Sequence, residues 1–537
     1  MSKNLSELSA RQGLENNLFE NLAKTDLDKK QIAKNFLIGD SSVTGTMSFY
    51  DFLKDENKDK KVYICNGSAC LCAGTQDQLT KHLTQYFDES EIGHMTCLGR
   101  CHENSAFHYD GHNYSALTAN QINDVIKNKN SDIGNDSYHC DSIGEKILTC
   151  KALTSQQIMQ AFVKITKQDK LITLNEIRKS QLRGRGGAGF PIGFKLESAM
   201  NAESEQKYII CNADEGDPGA YSDRYLLEQQ PYSVLFGMMV SAYIVGAQYG
   251  VLYIRAEYPE SIKIINQAIQ TLTPMVEDLG FDFKFKIICA QGAYICGEET
   301  ALINSIEGQR PEVRTRPPFP TQQGLFNKPT VVNNVETLAS LYTIIDKGGD
   351  YYASLGHELS RGTKLVSLDS FFNQPGIYEV EMGTALTDVF EQLGKGFKQP
   401  IKAVHIGGPL GGVVPINKIK DLNISFETFS SHGYLLGHAS VVCIPQDFPM
   451  IDYLQHLFEF AAYESCGKCF PCRLGTKRGE ELFTNAIKHR QKIDKTLLDD
   501  LLDTLEQGSL CAHGGGIPLP VKNILEYFED ELKEYFI

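Results

Sequence analysis

Three cysteines at Cys466-x2-Cys469-x2-Cys472, in ESCGKCFPCRLGT, with Cys511 further on in SLCAHGG, constrain this chain more than any other feature. Thiolates at that spacing wrap one corner of a cube and a remote fourth closes it, which is the ligand logic of a [4Fe-4S] cluster. Zinc competes, but structural zinc sites usually take two separated pairs. No second Cys-x2-Cys-x2-Cys run follows, so a single cubane is expected. Any fold of this region must bring Cys511 back onto the 466–472 turn.

A second set, Cys65-x4-Cys70 and Cys97-x3-Cys101, is presented by two loops of one small α/β segment. Four thiolates on two loops suit a [2Fe-2S] rhomb, although the spacing is not that of plant ferredoxins, and a zinc site or free thiols is the alternative. Cys72 lies close enough to compete and is read as a non-ligand. The cysteine total is fifteen, odd and locally clustered, which suits metal or redox chemistry better than a disulfide framework. The polar N-terminus has no apolar signal core, so a reducing, cytoplasmic setting is expected. With 52 basic and 67 acidic side chains the formal charge is −15, which argues against nucleic-acid binding through phosphates.

The uncharged run Ser233 to Ile254 is formally long enough to cross a bilayer. Gly246 and Gly250, followed by the β-rich VLYIRAEYP, instead predict a buried helix, a glycine stop and a central strand. No membrane insertion is expected. The middle of the chain alternates helix and strand signals, which predicts a doubly wound α/β core. Short strands with one helix near 363–415 predict a small α+β unit, and the chain after Gln446 reads as helical.

Within the α/β core, LRGRGGAGFPIGFK contains Gly184-x-Gly186-x-x-Gly189. A helix-like segment precedes it, so it is not a conventional dinucleotide turn, but bare amides beside Arg185 and Lys195 could cradle phosphate. Asn212-Ala213-Asp214-Glu215-Gly216-Asp217 follows the strand KYIIC, at the strand end where doubly wound sheets bind ligands. Gly292 to Glu299 repeats the theme after FKIICA, and Asn333-Asn334 adds two amides. Cys296 reads as a packed small residue.

These motifs together, RGRGGAGFP, CNADEGDPG, GAYICGEETAL, PPFP, PTVVNNVET and ESCGKCFPCR with SLCA, resemble the flavoprotein NADH-binding family. That family includes the NADH-oxidising subunit of respiratory complex I, the diaphorase subunit of NAD-reducing hydrogenases, and the β subunit of NAD-dependent molybdenum or tungsten formate dehydrogenases. Residues 1 to about 125 resemble the thioredoxin-like [2Fe-2S] subunit of the same complexes, fused in front. The resemblance implies a multidomain α/β protein: an N-terminal helical segment (1–55), a thioredoxin-like [2Fe-2S] domain (56–126), a linker (127–150), a Rossmann-like FMN/NADH domain (151–338), a ubiquitin-like α+β (SLBB) domain (339–440) and a helical bundle with [4Fe-4S] (441–537).

Carried over by position, it implies FMN contacts from Gly184, Arg185, Gly187, Lys195, Asn212, Asp214, Glu215, Tyr294, Gly297, Glu298, Asn333 and Asn334. Phe190, Asp217, Glu299, Arg316 and Phe319 are the implied NADH contacts. The complex I pattern has Glu at Asp217, Lys at Arg316 and Gly at Gln291. The implied activity is hydride exchange between NAD(H) and FMN, with single electrons passed to one [4Fe-4S] and one [2Fe-2S] cluster and no side chain needed as acid or base. VHIGGPLGGVVP and HGYLLGHASVVCI look most like formate dehydrogenase β subunits. The implied partner is then a catalytic α subunit carrying molybdenum or tungsten in a hetero-oligomer, with a hydrogenase or complex I partner as the alternative.

Overall fold

The computed structural model describes residues 13–15, 17–24, 28–127 and 137–537. Part of the expected N-terminal segment, including residues 1–12, and linker residues 128–136 lie outside the described residues.

The first sheet has four strands in the order Ile92–Met95, Val62–Cys65, Phe107–Tyr109, His112–Tyr114. The first pair is parallel and the others antiparallel. Asp110 and Gly111 both take positive φ, 49° and 76°, and close the final hairpin, as the Asp-Gly turn in the sequence requires. Helices Ser68–Ala73, Gln76–Leu83 and Ala119–Ile126 complete this domain.

The second sheet is all parallel, in the order Lys284–Cys289, Tyr249–Ile254, Tyr208–Ala213, Thr330–Asn334. Crossovers run to opposite sides of Tyr208–Ala213, so its carboxyl end and that of Thr330–Asn334 flank a topological switch point, where such sheets open a crevice. The apolar run resolves into a buried helix, Pro231–Val245, a left-handed stop at Gly246 (φ 79°) and the strand Tyr249–Ile254. Among the described residues no helix is long and apolar enough to cross a membrane. Gly237 lets this helix press against the helix Val335–Ala339: a Cβ there would stand 2.1 Å from the Leu338 carbonyl oxygen.

The third sheet is mixed and six-stranded, in the order Gly412–Pro415, Ile401–Ile406, Ser440–Pro445, Thr363–Leu368, Gly376–Glu381, His139–Ile143. Two boundaries differ from the sequence expectation. Ser440–Pro445 is an interior strand, so this domain extends beyond 440. The expected linker also contributes an edge strand, His139–Ile143, paired in parallel with Gly376–Glu381. Just after it, the backbone amides of Ile147, Leu148 and Thr149 donate to the buried Glu379 carboxylate at 2.8–3.1 Å.

The C-terminal helices are Met450–Tyr463, Phe470–His489, Lys495–Gly508, Ala512–Gly516 and Pro518–Tyr527. The N-terminal segment packs its apolar residues, from Leu14 to Leu53, onto the second sheet and the 293–306 region. Asp51 and Phe52 donate their amides to Gly292 O and Gln291 O.

Candidate functional site

The four parallel strands of the second sheet end at Asn334, Ala213, Ile254 and Cys289; Asp214 and Arg255 follow two of them directly, and the 292–299 segment follows Cys289. The glycine-rich loop faces the same end. It is closed at its base by Gly184 N donating to Phe190 O (2.9 Å) and leads into the helix Ile192–Asn201, which carries Lys195. Gly187 (φ 116°) lies against Gly437, and a Cβ on Gly186 would approach Asn334 Cβ to 3.0 Å. Only glycines let three chain segments converge this closely.

The individual residues divide between open and committed groups. Asn212 Nδ2 donates to Gly297 O (2.8 Å), and Gly297 has space before Asp214. Among the described residues, Asp214 Oδ2 and Asn333 Nδ2 are buried atoms without a protein partner, an acceptor and a donor left over at the switch point. Burial drives the Asp214 carboxyl well above its ordinary range. Lys195 Nζ meets Glu299 Oε2 (3.1 Å) and Val332 O (3.0 Å).

Other expected contacts also hold the scaffold. Asn334 Oδ1 caps the helix Val335–Ala339, and Glu298 Oε2 caps Glu299–Ile306. Glu215 accepts from Asp223 N (2.9 Å), Arg224 N (3.1 Å) and Tyr258 OH (3.1 Å). Burial, then Asp223, raises Glu215 to about 7 against the opposing pull of His438.

Arg185 differs from the expectation. Its fully buried guanidinium bonds Tyr352 OH, Arg361 O and Met382 Sδ in the third domain, so its charge anchors the loop from behind and does not enter the crevice. Its backbone amide is taken by Thr337 Oγ1 (2.8 Å).

At the outer rim Phe190 and Phe319 are each 52 % exposed. The helix bearing Lys195 touches the Phe319 segment through Ser198 and Thr321 (2.9 Å). Arg316 pairs with Glu298 and Glu299 at 3.0 Å each, and Tyr294 OH donates to Asp217 Oδ1 (2.7 Å). The aromatic pair offers stacking surfaces, and the charged groups offer hydrogen bonds to ribose and phosphate.

Both cysteine quartets assemble. Cys97 Sγ and Cys101 Sγ are 3.4 Å apart, and the free thiols of Cys65 and Cys70 hydrogen-bond each other, all four buried. The backbone amides of Gly67, Leu98 and Cys97 favour the Cys65 thiolate, as N–H groups near a cluster sulfur do. Cys72 is buried and interacts with Asp369 and Cys443 of the third domain.

In the helical region Cys469 is the N-cap of Phe470–His489 and Cys511 that of Ala512–Gly516, while Cys466, Cys469 and Cys511 are all electrostatic neighbours of Cys472. Gly514 permits the closure, since a Cβ there would come within 2.7 Å of Cys472 Cβ. Burial pushes the Cys472 thiol to about 12 and Cys511 to about 11, so cluster binding must displace their protons.

Comparison with known proteins agrees with this architecture. A model of the thioredoxin-like [2Fe-2S] ferredoxin matches residues 25–130, the Nuo51 FMN-binding domain matches 177–343, and the NADH-ubiquinone oxidoreductase-F iron-sulfur binding region matches 452–535. The NAD-reducing hydrogenase HoxS subunit alpha of Cupriavidus necator is 33% identical over 549 residues, covering 93% of this chain and 87% of that one. The chain belongs to the Nuo51 flavoprotein family. An NADH-quinone oxidoreductase subunit of Escherichia coli is 36% identical, covering 67% of this chain and 83% of the relative. The NADP-reducing hydrogenase subunit HndC of Solidesulfovibrio fructosivorans is 39% identical, covering 67% and 75%. The crystal structure of an air-oxidized NAD+-reducing [NiFe]-hydrogenase superposes with a TM-score of 0.88 at 26% identity, covering 100% of this chain and 95% of that one. As a Nuo51-family protein this chain is an NADH-dehydrogenase (diaphorase) module that uses FMN, NAD(H), a [2Fe-2S] and a [4Fe-4S] cluster.

The structure also brings in groups that motif reading missed. Arg255 and Glu257 follow the strand Tyr249–Ile254, and His438 arrives from the third domain, with Nε2 3.3 Å from Asp223 Oδ2. Asp51, Asp214, Glu257 and Glu464 line a small cavity, about 10 Å³, with Thr96, Arg255 and Tyr294. The available signal was positional: RAEYP begins at a strand's carboxyl end, as NADEGD does.

Proposed function

We propose that this chain is the diaphorase subunit of a hydrogen-linked, NAD-reducing complex. One observation carries the reading: the likeness to HoxS subunit alpha runs through the N-terminal [2Fe-2S] region as well as the flavin and [4Fe-4S] regions, over 93% of the chain. The second reading, the β subunit of a formate dehydrogenase, rests on the motifs VHIGGPLGGVVP and HGYLLGHASVVCI.

In either reading FMN is held by the glycine-rich loop, Lys195, Asn212, Asp214, Tyr294, Gly297 and Asn333, with Glu215, Glu298 and Asn334 fixing the loops that carry them. The orphaned Asp214 and Asn333 atoms fit a ring edge that both donates and accepts. Bound FMN supplies the conversion between two-electron and one-electron transfer. Phe190 and Phe319 sandwich or abut the nucleotide, while Arg316, Asp217 and Glu299 orient it. Cys65, Cys70, Cys97 and Cys101 hold [2Fe-2S], and Cys466, Cys469, Cys472 and Cys511 hold [4Fe-4S].

The test is anaerobic purification of the native complex followed by assay of NAD reduction with hydrogen and, separately, with formate. Hydrogen-driven reduction supports the proposal. Formate-driven reduction transfers the chain to the second reading. If neither drives NAD reduction while NADH still reduces dyes, both partner readings fail and the module alone stands.

A further inference from the structure

We infer that Arg255 is a positioning residue through which the flavin domain sets the reduction potential of the [2Fe-2S] centre. The inference rests on Cys65, Cys70, Cys97 and Cys101 being that centre's ligands. Arg255 leaves the carboxyl end of the strand Tyr249–Ile254 and is only 3 % exposed. Its Nη1 donates to Cys97 O (2.9 Å) and Glu215 O (2.6 Å), and its Nη2 to Thr96 O (2.7 Å) and Glu257 Oε1 (2.8 Å). One delocalised cation therefore ties the loop bearing two cluster ligands to the loop that carries Glu215.

Two further contacts come from the same domain. The Tyr258 ring lies 5.1 Å from the guanidinium and packs on Gly99, whose φ of 65° lets the ligand loop turn. Gly219 donates its amide to Cys101 Sγ at 3.3 Å. A cluster's potential is set by hydrogen bonds to its sulfurs, by nearby charge and by burial. Here the flavin domain supplies the Gly219 N–H to Cys101 Sγ and the buried cation at the Cys97 turn.

Reduction of the centre adds one electron, delivered by the established NADH-to-flavin chemistry, and makes or breaks no bond. The added negative charge is stabilised by Arg255 and opposed by Glu257, which lies 4 % exposed with Oε2 unpartnered among the described residues. At low effective dielectric neither charge is screened away. The potential reads the balance of these two side chains, so removing them one at a time moves it in opposite directions.

The experiment is an EPR-monitored redox titration of the full chain carrying FMN and iron, for the native protein, Arg255→Gln, Arg255→Lys and Glu257→Gln. Arg255→Gln is expected to lower the reduced-to-oxidised ratio of the [2Fe-2S] signal about tenfold at the native midpoint, about 59 mV for a one-electron couple. Glu257→Gln raises the midpoint, Arg255→Lys stays near the native value, and the [4Fe-4S] midpoint does not move. A merely structural role would shift both neutral variants the same way, and that result, or an unmoved midpoint in both, overturns the inference. If Arg255→Gln loses its cluster, Glu257→Gln decides alone: an upward shift supports the inference and a fixed midpoint refutes it. Absence of any [2Fe-2S] signal in the native protein would refute the ligand reading itself, and the inference with it.

Discussion

His438→Gln tests the electrostatics of the flavin crevice through stability. The native imidazole is 5 % exposed, with Nε2 3.3 Å from Asp223 Oδ2 and Nδ1 3.8 Å from Glu215 Oε1. Burial alone would lower its pKa, but Asp223 and then Glu215 outweigh burial and the repulsion from Lys364, and hold it at about 9. Relative to the ordinary 6.5, that elevation corresponds to about 3 kcal/mol. The folded pKa is raised, so this stabilisation is fully present below pH 6.5 and is lost as pH rises through about 9. Glu215, raised to about 7, acts in a lower window: its penalty grows between about pH 4.5 and 7 and is constant above.

Removing the cation leaves Asp223 and Glu215 buried without it, a loss on the order of 3–5 kcal/mol, which Glu215 partly relieves by staying protonated. Calorimetric scans from pH 6.5 to 9.5 should show the variant melting several degrees lower at pH 7, with the gap closing as pH passes 9. Two curves separated by a constant gap across that range would refute the reasoning, because a packing defect does not titrate.

Three other outcomes are expected. Cys469→Ala should abolish electron delivery to the partner while NADH-dependent reduction of a two-electron dye persists; loss of both activities with FMN still bound would contradict the separation of roles. Glu215→Ala removes the acceptor for two backbone amides and Tyr258, and should deplete flavin in the purified chain, measured by absorbance after extraction. Gly237→Ala forces the helix Val335–Ala339 back by about 1 Å, with a cost of about 1–3 kcal/mol, read as a lower Tm. Unchanged melting would show that the two helices separate freely.

The parts of this protein legible in its sequence are those where chemistry is written over a few adjacent residues. Cys466, Cys469 and Cys472 carry their own spacing, and the helix, glycine and strand between Pro231 and Ile254 follow from local periodicity. Arg255 and His438 were opaque because each is a lone charged residue whose meaning comes from a partner on another domain. Arg185 misled for the same reason: its place in a glycine-rich motif says nothing of Tyr352 and Arg361, which receive it. The edge strand His139–Ile143 is mostly exposed and polar, so no alternation of buried residues announced it.

That edge strand tethers the [2Fe-2S] domain from its C-terminal side, as the N-terminal segment packed on the second sheet does from the other. Its chain leaves the domain at Lys127 and is stitched to the third sheet from His139, with Glu379 clamping the residues just beyond. About a dozen residues separate those points, a reach of at most about 40 Å. A domain that undocks on so short a lead stays at millimolar effective concentration around its own berth, so redocking outpaces capture by any competitor in solution. Fusion of the two halves thus keeps one [2Fe-2S]-type domain beside each flavin domain at any dilution, which separate chains would achieve only by binding tightly.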